Sequence, residues 1–190
     1  PTGQGVWPAF WMLPEKDVYG GWAASGEIDI LEVRGQNPRE IVGTIHYGSR
    51  WPENASSSAA FLLPQDGRVD AFHVYAVEWE PGLIRWSVDG HVYATQDSWW
   101  SSSQADGDRG LRPKSESALN PWPAPFDQPF YLLMNVAVGG QFVGAPDHTT
   151  AFPAVMQVDY VRVYERIDVY GRILPRNDRT LPFERSQSDP

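Results

Sequence analysis

Gly26-Glu27-Ile28-Asp29-Ile30-Leu31-Glu32 sets three carboxylates within six residues, interleaved with Ile, Ile and Leu. Apolar residues of that kind ask for a β-strand with one buried face. Acids side by side on the other face repel one another, so a sheet carries such a row at a cost. Two carboxyls on one face can serve as nucleophile and acid/base at a glycosidic bond. An acidic solvated strand face or a calcium-binding edge is the plainer alternative.

Strict alternation puts Glu27 and Asp29 on one face but sends Glu32 to the other. One extra residue, a β-bulge near Ile30-Leu31, restores the phase and brings Glu32 back beside them. Ile28, Ile30 and Val33 then face the core. Four effective strand steps separate the backbones of Glu27 and Glu32 by roughly 13 Å. Two Glu side chains leaning together can close that gap to the ~5–5.5 Å of a retaining glycosidase. Asp29, between them, is placed to hydrogen-bond the nucleophile and to hold the pKa values apart.

The elements that must position these acids read as strands and loops. Ile84-Arg85-Trp86-Ser87-Val88 and His91-Val92-Tyr93-Ala94 flank Asp89-Gly90, a two-residue hairpin signal. Val74 to Trp79, Phe130 to Val138 and Val155 to Tyr164 are further expected strands, rich in β-branched and aromatic residues. No segment keeps a helical period, and there are no internal repeats. The pattern implies an all-β, antiparallel β-sandwich. Ser101 to Pro125 is polar and Pro-rich and reads as a long surface loop, lining one end of a cleft through Trp99 and Trp100. Residues 166–190 read as a C-terminal extension or linker.

The chain is one domain's worth, 190 residues, large enough for a real core. A net charge of −9 argues against nucleic acid or anionic membranes as partners. Nine Trp and eight Tyr suit stacking on sugar rings, or equally a well-filled sandwich core. With no Cys, disulfides and thiolate metal sites are excluded. No apolar run approaches a membrane span. Asn54-Ala55-Ser56 is formally a glycosylation sequon and is read as a chance match.

Several segments flank the acids in order. Trp7-Pro8-Ala9-Phe10-Trp11-Met12-Leu13 precedes them, and Gly43-Thr44-Ile45-His46-Tyr47-Gly48 follows. Then come Phe72 to Trp79, Asn135-Val136-Ala137-Val138-Gly139-Gly140 and Met156 to Tyr164. From about Trp7 to Tyr164 the chain resembles the family 16 glycoside hydrolases, and within them the laminarinase-type endo-β-1,3-glucanases. The acid motif with its extra residue is specific to the family's bulged group. Agarases and carrageenases share that motif, but the His46 segment and Ala137-Val138-Gly139-Gly140 look more like laminarinases.

The resemblance implies a jelly roll, concanavalin A-like, whose concave sheet forms a substrate cleft. It implies Glu27 as nucleophile, Asp29 as assisting acid and Glu32 as acid/base. Glu32 must then start protonated, and the charges of Asp29 and Glu27 are the expected reason for its raised pKa. Trp22 matches a tryptophan that stacks under a sugar, and His46 matches a residue that donates to a sugar hydroxyl. Trp51 and Asn135 are further candidates for binding substrate. The reaction needs no metal or other cofactor. Asp159 matches one ligand of a structural calcium ion on the convex face.

The expected substrate is a β-1,3-glucan, or a mixed β-1,3-1,4-glucan, cleaved by double displacement. The expected protein is a secreted, extracellular monomer. Members of the family carry several strands upstream of the segment that begins here at Trp7. A catalytic domain over residues 1–165 is therefore expected to lack N-terminal strands, leaving sheet edges and apolar surface exposed. An inactive fragment and a non-catalytic β-glucan-binding relative are the rival readings. Such binding relatives typically lose the glutamates, whereas this chain keeps all three acids.

Overall fold

The computed structural model describes residues 1–64, 66–104 and 110–167. Its strands are β1 (Val6–Pro14), β2 (Glu27–Glu32), β3 (Glu40–Tyr47), β4 (Ala55–Leu62), β5 (Tyr75–Glu80), β6 (Leu83–Val88), β7 (His91–Gln96) and β8 (Phe130–Val138). Five form one antiparallel sheet in the order β4-β3-β2-β1-β8, and three form a second in the order β5-β6-β7. The acid-bearing strand is thus the central strand of the larger sheet, backed on both sides. This is the jelly-roll type of β-sandwich.

The bulge lies where the alternation requires it. Against β3, Asp29 pairs with Thr44 and Glu32 with Val42, so Ile30 and Leu31 together face Gly43. Against β1, Leu31 pairs with Phe10 and Asp29 with Trp11, which leaves Ile30 as the extra residue. Ile28, Ile30, Leu31 and Val33 are all buried on the inner side. Each such side chain contributes roughly 1.5–3 kcal/mol on leaving water, which holds the strand in this register.

The second sheet supplies what the bulge leaves unsatisfied. The Trp86 indole N–H, from β6, donates to the Asp29 carbonyl at 2.8 Å. Trp86 can come that close only because position 43 is glycine. A Cβ on Gly43 would stand 2.5 Å from Trp86 Cδ1 and 2.7 Å from the Tyr93 hydroxyl. Met12, Ile28, Ile30, Ile45, Ile84, Trp86, Trp99, Phe126 and Phe130 form the main core between the sheets, and Leu31, Val33, Ile41, Leu63 and Val88 a second cluster. The β6–β7 hairpin turns at Asp89 (φ 50°) and Gly90 (φ 78°), the doubly positive geometry that an Asp-Gly pair favours.

Three expectations need correction. Val155 to Tyr164 is not a strand; it pairs with no neighbour among the described residues, and Val155, Val158, Tyr160, Val161 and Tyr164 are exposed. β-Propensity cannot make a strand by itself, since the extended chain is stabilised by its ladder partner. Ser101 to Pro125 is not simply surface loop. Ser101, Ser102, Ala118, Ala124 and Pro125 are buried, and the Ser102 hydroxyl donates to the Ala118 carbonyl at 2.8 Å. Trp99 accordingly belongs to the core, stacked on Trp122 at 4.6 Å, rather than to a cleft. Trp100 packs edge-on against Tyr47.

Sequence patterning did not single out β1, β3 or β4 as strands, and β4 has the weakest signal of the three. Ala55-Ser56-Ser57-Ser58-Ala59-Ala60 has little strand propensity, but it pairs with β3 along its full length and alternates half-buried with exposed. Residues 168–190, most of the expected extension, lie outside the described residues. Among the described residues, no helix is long and apolar enough to cross a membrane.

Candidate active site

Strand pairing builds the site row by row. In β2 the non-core residues are Glu27, Asp29 and Glu32. In β3 their partners are His46, Thr44 and Val42, and in β1 Asp29 pairs with Trp11 and Glu32 with Ala9. β8 adds Asn135 opposite Ala9 and Ala137 opposite Trp7. Trp7, Ala9, Trp11, Glu27, Asp29, Glu32, Asn135 and Ala137 line one open cleft of about 160 Å³. Glu27, Asp29 and Glu32 therefore share the wall of a single groove.

Each carboxylate has its own partners. Glu27 accepts a short hydrogen bond at Oε2 from the Trp22 indole N–H, and its Oε1 lies 4.0 Å from His46 Nε2. Glu32 accepts from the Trp7 indole at 3.1 Å and from the Thr44 hydroxyl at 3.3 Å. Asp29 is 2% exposed; its Oδ2 has no hydrogen-bond partner and faces His46 Nε2 at 3.4 Å. Trp22 in turn packs on the His46 ring, with centroids 5.4 Å apart.

These surroundings pull the three acids in one direction. Burial, then the charge of Asp29, lifts Glu27 to about 7, while His46 and the Trp22 N–H oppose the rise. Burial also raises Glu32, against His46 and the donors Thr44 and Trp7, with the charge of Glu27 adding a smaller push. Desolvation, rather than the neighbouring charges expected from the sequence, is thus the main reason the Glu32 pKa is raised. Asp29 is raised well above the carboxylate range by burial and by the charge of Glu32. Three acids this close titrate as a unit and share protons. Glu27 and Glu32 each have N–H or O–H donors that favour the anion, whereas Asp29 Oδ2 has none. A side-chain hydrogen bond between Asp29 and Glu27 lowers the pKa of the first and raises that of the second, so the two share a proton.

The remaining expected residues fall in different places. His46 is at the centre of the acid cluster. Trp22 is 42% exposed and touches Glu27, so one side of its ring is available to a ligand. Trp51 is 67% exposed and is tied by its backbone N–H to the Trp22 carbonyl, at the same end of the groove. Asn135 accepts from the Trp11 indole at 2.7 Å through Oδ1. Asp159 lies in the irregular, exposed stretch after β8, and among the described residues it joins no group of three side-chain metal ligands.

Trp7, Thr44 and Trp11 were given no role from the sequence, although all three lie in its quoted segments. Their signal was phase: Trp7 and Trp11 are four apart in a strand, hence on one face, and Trp7 stands two residues from the partner of Glu32.

Residues 1–105 match the family model described as Glycosyl hydrolases family 16. The chain belongs to glycoside hydrolase family 16. It is 49% identical over 170 residues to glucan endo-1,3-beta-glucosidase A1 of Niallia circulans, covering 87% of this chain and 23% of that protein. To the beta-glucanase of Rhodothermus marinus it is 40% identical, over 88% of this chain and 55% of the other. The crystal structure of the endo-beta-1,3-glucanase from Pyrococcus furiosus superimposes with a TM-score of 0.62 at 36% identity, covering 80% of this chain and 52% of that one. The family 16 chain thus spans between about a quarter and just over half the length of these relatives.

Proposed function

We propose that this family 16 chain carries the catalytic centre of a retaining endo-β-1,3-glucanase acting on laminarin-like glucan or mixed β-1,3-1,4-glucan. The observation that carries the reading is the bulge at Ile30-Leu31, which returns Glu32 to the groove wall beside Glu27 and Asp29. Acid and nucleophile on one strand and one groove wall are the arrangement that a double displacement uses.

In the first step Glu32, protonated, gives its proton to the glycosidic oxygen as the bond to the anomeric carbon breaks. A Glu27 oxygen forms a new bond to that carbon, giving a glycosyl-enzyme ester. In the second step Glu32, now a carboxylate, takes a proton from water. The resulting hydroxide displaces Glu27 and frees the sugar with its original anomeric configuration. The Trp22 indole N–H holds Glu27 by its hydrogen bond, and His46 and Asp29 flank it. Trp22 and Trp51 offer stacking faces for sugar rings, and the Asn135 amide NH₂ can donate to a hydroxyl.

Reducing-sugar release from laminarin, lichenan, agarose and carrageenan tests the assignment. Laminarin or lichenan should be cleaved, and Glu27→Gln or Glu32→Gln should abolish turnover without unfolding the chain. Equal activity of either variant and the parent would end the hypothesis. Preference for agarose or carrageenan would reassign the substrate.

A further inference from the structure

Glu27 Oε1, Asp29 Oδ2 and His46 Nε2 converge on one point of the groove. His46 Nε2 is 3.4 Å from Asp29 Oδ2 and 4.0 Å from Glu27 Oε1, and one ligand atom from each residue lies within 4.8 Å of the other two. Ligand atoms ~2.0–2.1 Å from a tetrahedral zinc ion stand about 3.4 Å apart, so two of the three are nearly in place. Bringing Glu27 Oε1 into the set requires its carboxyl to turn against the bond that Oε2 accepts from Trp22.

The second indication is independent of the acids' proximity. Asp29, 2% exposed, has its Oδ2 buried without a hydrogen-bond partner, facing the imidazole. The other ring nitrogen, His46 Nδ1, is buried without a partner as well. A metal at Nε2 therefore replaces only the contact with Asp29 Oδ2 and breaks no bond of Nδ1.

We propose that Glu27, Asp29 and His46 form an inhibitory site for a divalent transition-metal ion of the zinc or cobalt type. One imidazole and two carboxylates match the donor preferences of these ions. Calcium and magnesium, which want six or more oxygens, are poorly served. The fourth position opens to the groove and takes water. An ion there holds Glu27 Oε1 and occupies the space of the sugar, so metal and β-glucan exclude one another. Binding releases whatever proton the three residues share. The competition rests on the glucanase reading above, whereas the metal site itself does not.

The 190-residue chain, stripped with a chelator, is titrated with Co²⁺ and followed by the visible absorption of four-coordinate cobalt. One equivalent should bind with an intense tetrahedral spectrum. Glu27→Gln and His46→Gln should each weaken binding by more than about tenfold, with circular dichroism confirming a folded chain. His148→Gln, far from the groove, should leave the spectrum unchanged. Laminarin oligosaccharide should displace the cobalt, and Zn²⁺ should inhibit hydrolysis competitively. Absence of the spectrum, or an unaltered spectrum in both Glu27→Gln and His46→Gln, overturns the site. A site that binds cobalt but is indifferent to the oligosaccharide overturns the competition and counts against the groove as a glucan cleft.

Discussion

The chemistry of individual residues here is governed by what donates to each carboxylate. Glu32 carries two donors, Trp7 and Thr44, and both favour its anion. Removing one should therefore raise its pKa and extend the range over which it stays protonated. Trp7→Phe is expected to move the alkaline limb of kcat/KM to higher pH while leaving the acidic limb in place. A pH profile that only loses amplitude would show Trp7 to be packing alone. Glu27 makes a second prediction, about stability. Its folded pKa of about 7 lies above the ordinary 4.5, so the folded state binds its proton more tightly than the unfolded one. That contribution is fully present below about pH 4.5 and is lost as pH rises through 7. A glutamine at this position cannot ionise. Glu27→Gln should accordingly be more stable than the parent at pH 8, by on the order of 2–3 kcal/mol, and close to it at pH 4. Urea unfolding at the two pH values measures the difference.

At the scale of elements, the bulge of β2, Gly43 of β3 and Trp86 of β6 form one device. The bulge turns Glu32 into the groove, Trp86 satisfies the carbonyl beside it, and Gly43 leaves room for Trp86. Gly43→Ala would press a methyl group into Trp86 and the Tyr93 hydroxyl, at a cost of about 1–3 kcal/mol. Activity should fall further than stability alone explains, because the carbonyl contact that fixes the bulge is the first to give. Denaturant melts beside kcat/KM report the two effects separately. Much of this device was legible in the sequence: the acids, the Ile and Leu between them and the need for an extra residue follow from alternation. Whereas β1 and β3 entered only as segments of the family resemblance, β5, β6, β7 and β8 were also legible, because aromatic and β-branched runs with an Asp-Gly turn mark strands locally. β4 was not, since Ala and Ser become a strand only by pairing with β3. Val155 to Tyr164 failed in the opposite sense, with high propensity but no partner. Desolvation as the main cause of the raised Glu32 pKa was equally out of reach, because it depends on both sheets closing over the strand.

Across the whole molecule, the row of three acids lies on the best-supported part of the structure. β2 has neighbours on both sides and a core beneath it, while β8 is an edge strand with Tyr131, Leu132, Met134 and Val138 exposed. A further apolar cavity of about 490 Å³ opens on the opposite side of the β1–β2 pair, between Phe10, Leu31, Val33 and residues 155–161. Both surfaces lie away from the row of acids. The account stands or falls on Glu27 becoming covalently linked to sugar. Incubating the chain with a 2-deoxy-2-fluoro-β-laminaribiosyl fluoride slows release of the intermediate, and peptide mass spectrometry locates the adduct. The glycosyl mass is expected on Glu27 and should vanish in Glu27→Gln. An adduct on Glu32 or Asp29, or laminarin hydrolysis with inverted anomeric configuration and no adduct, would contradict the account.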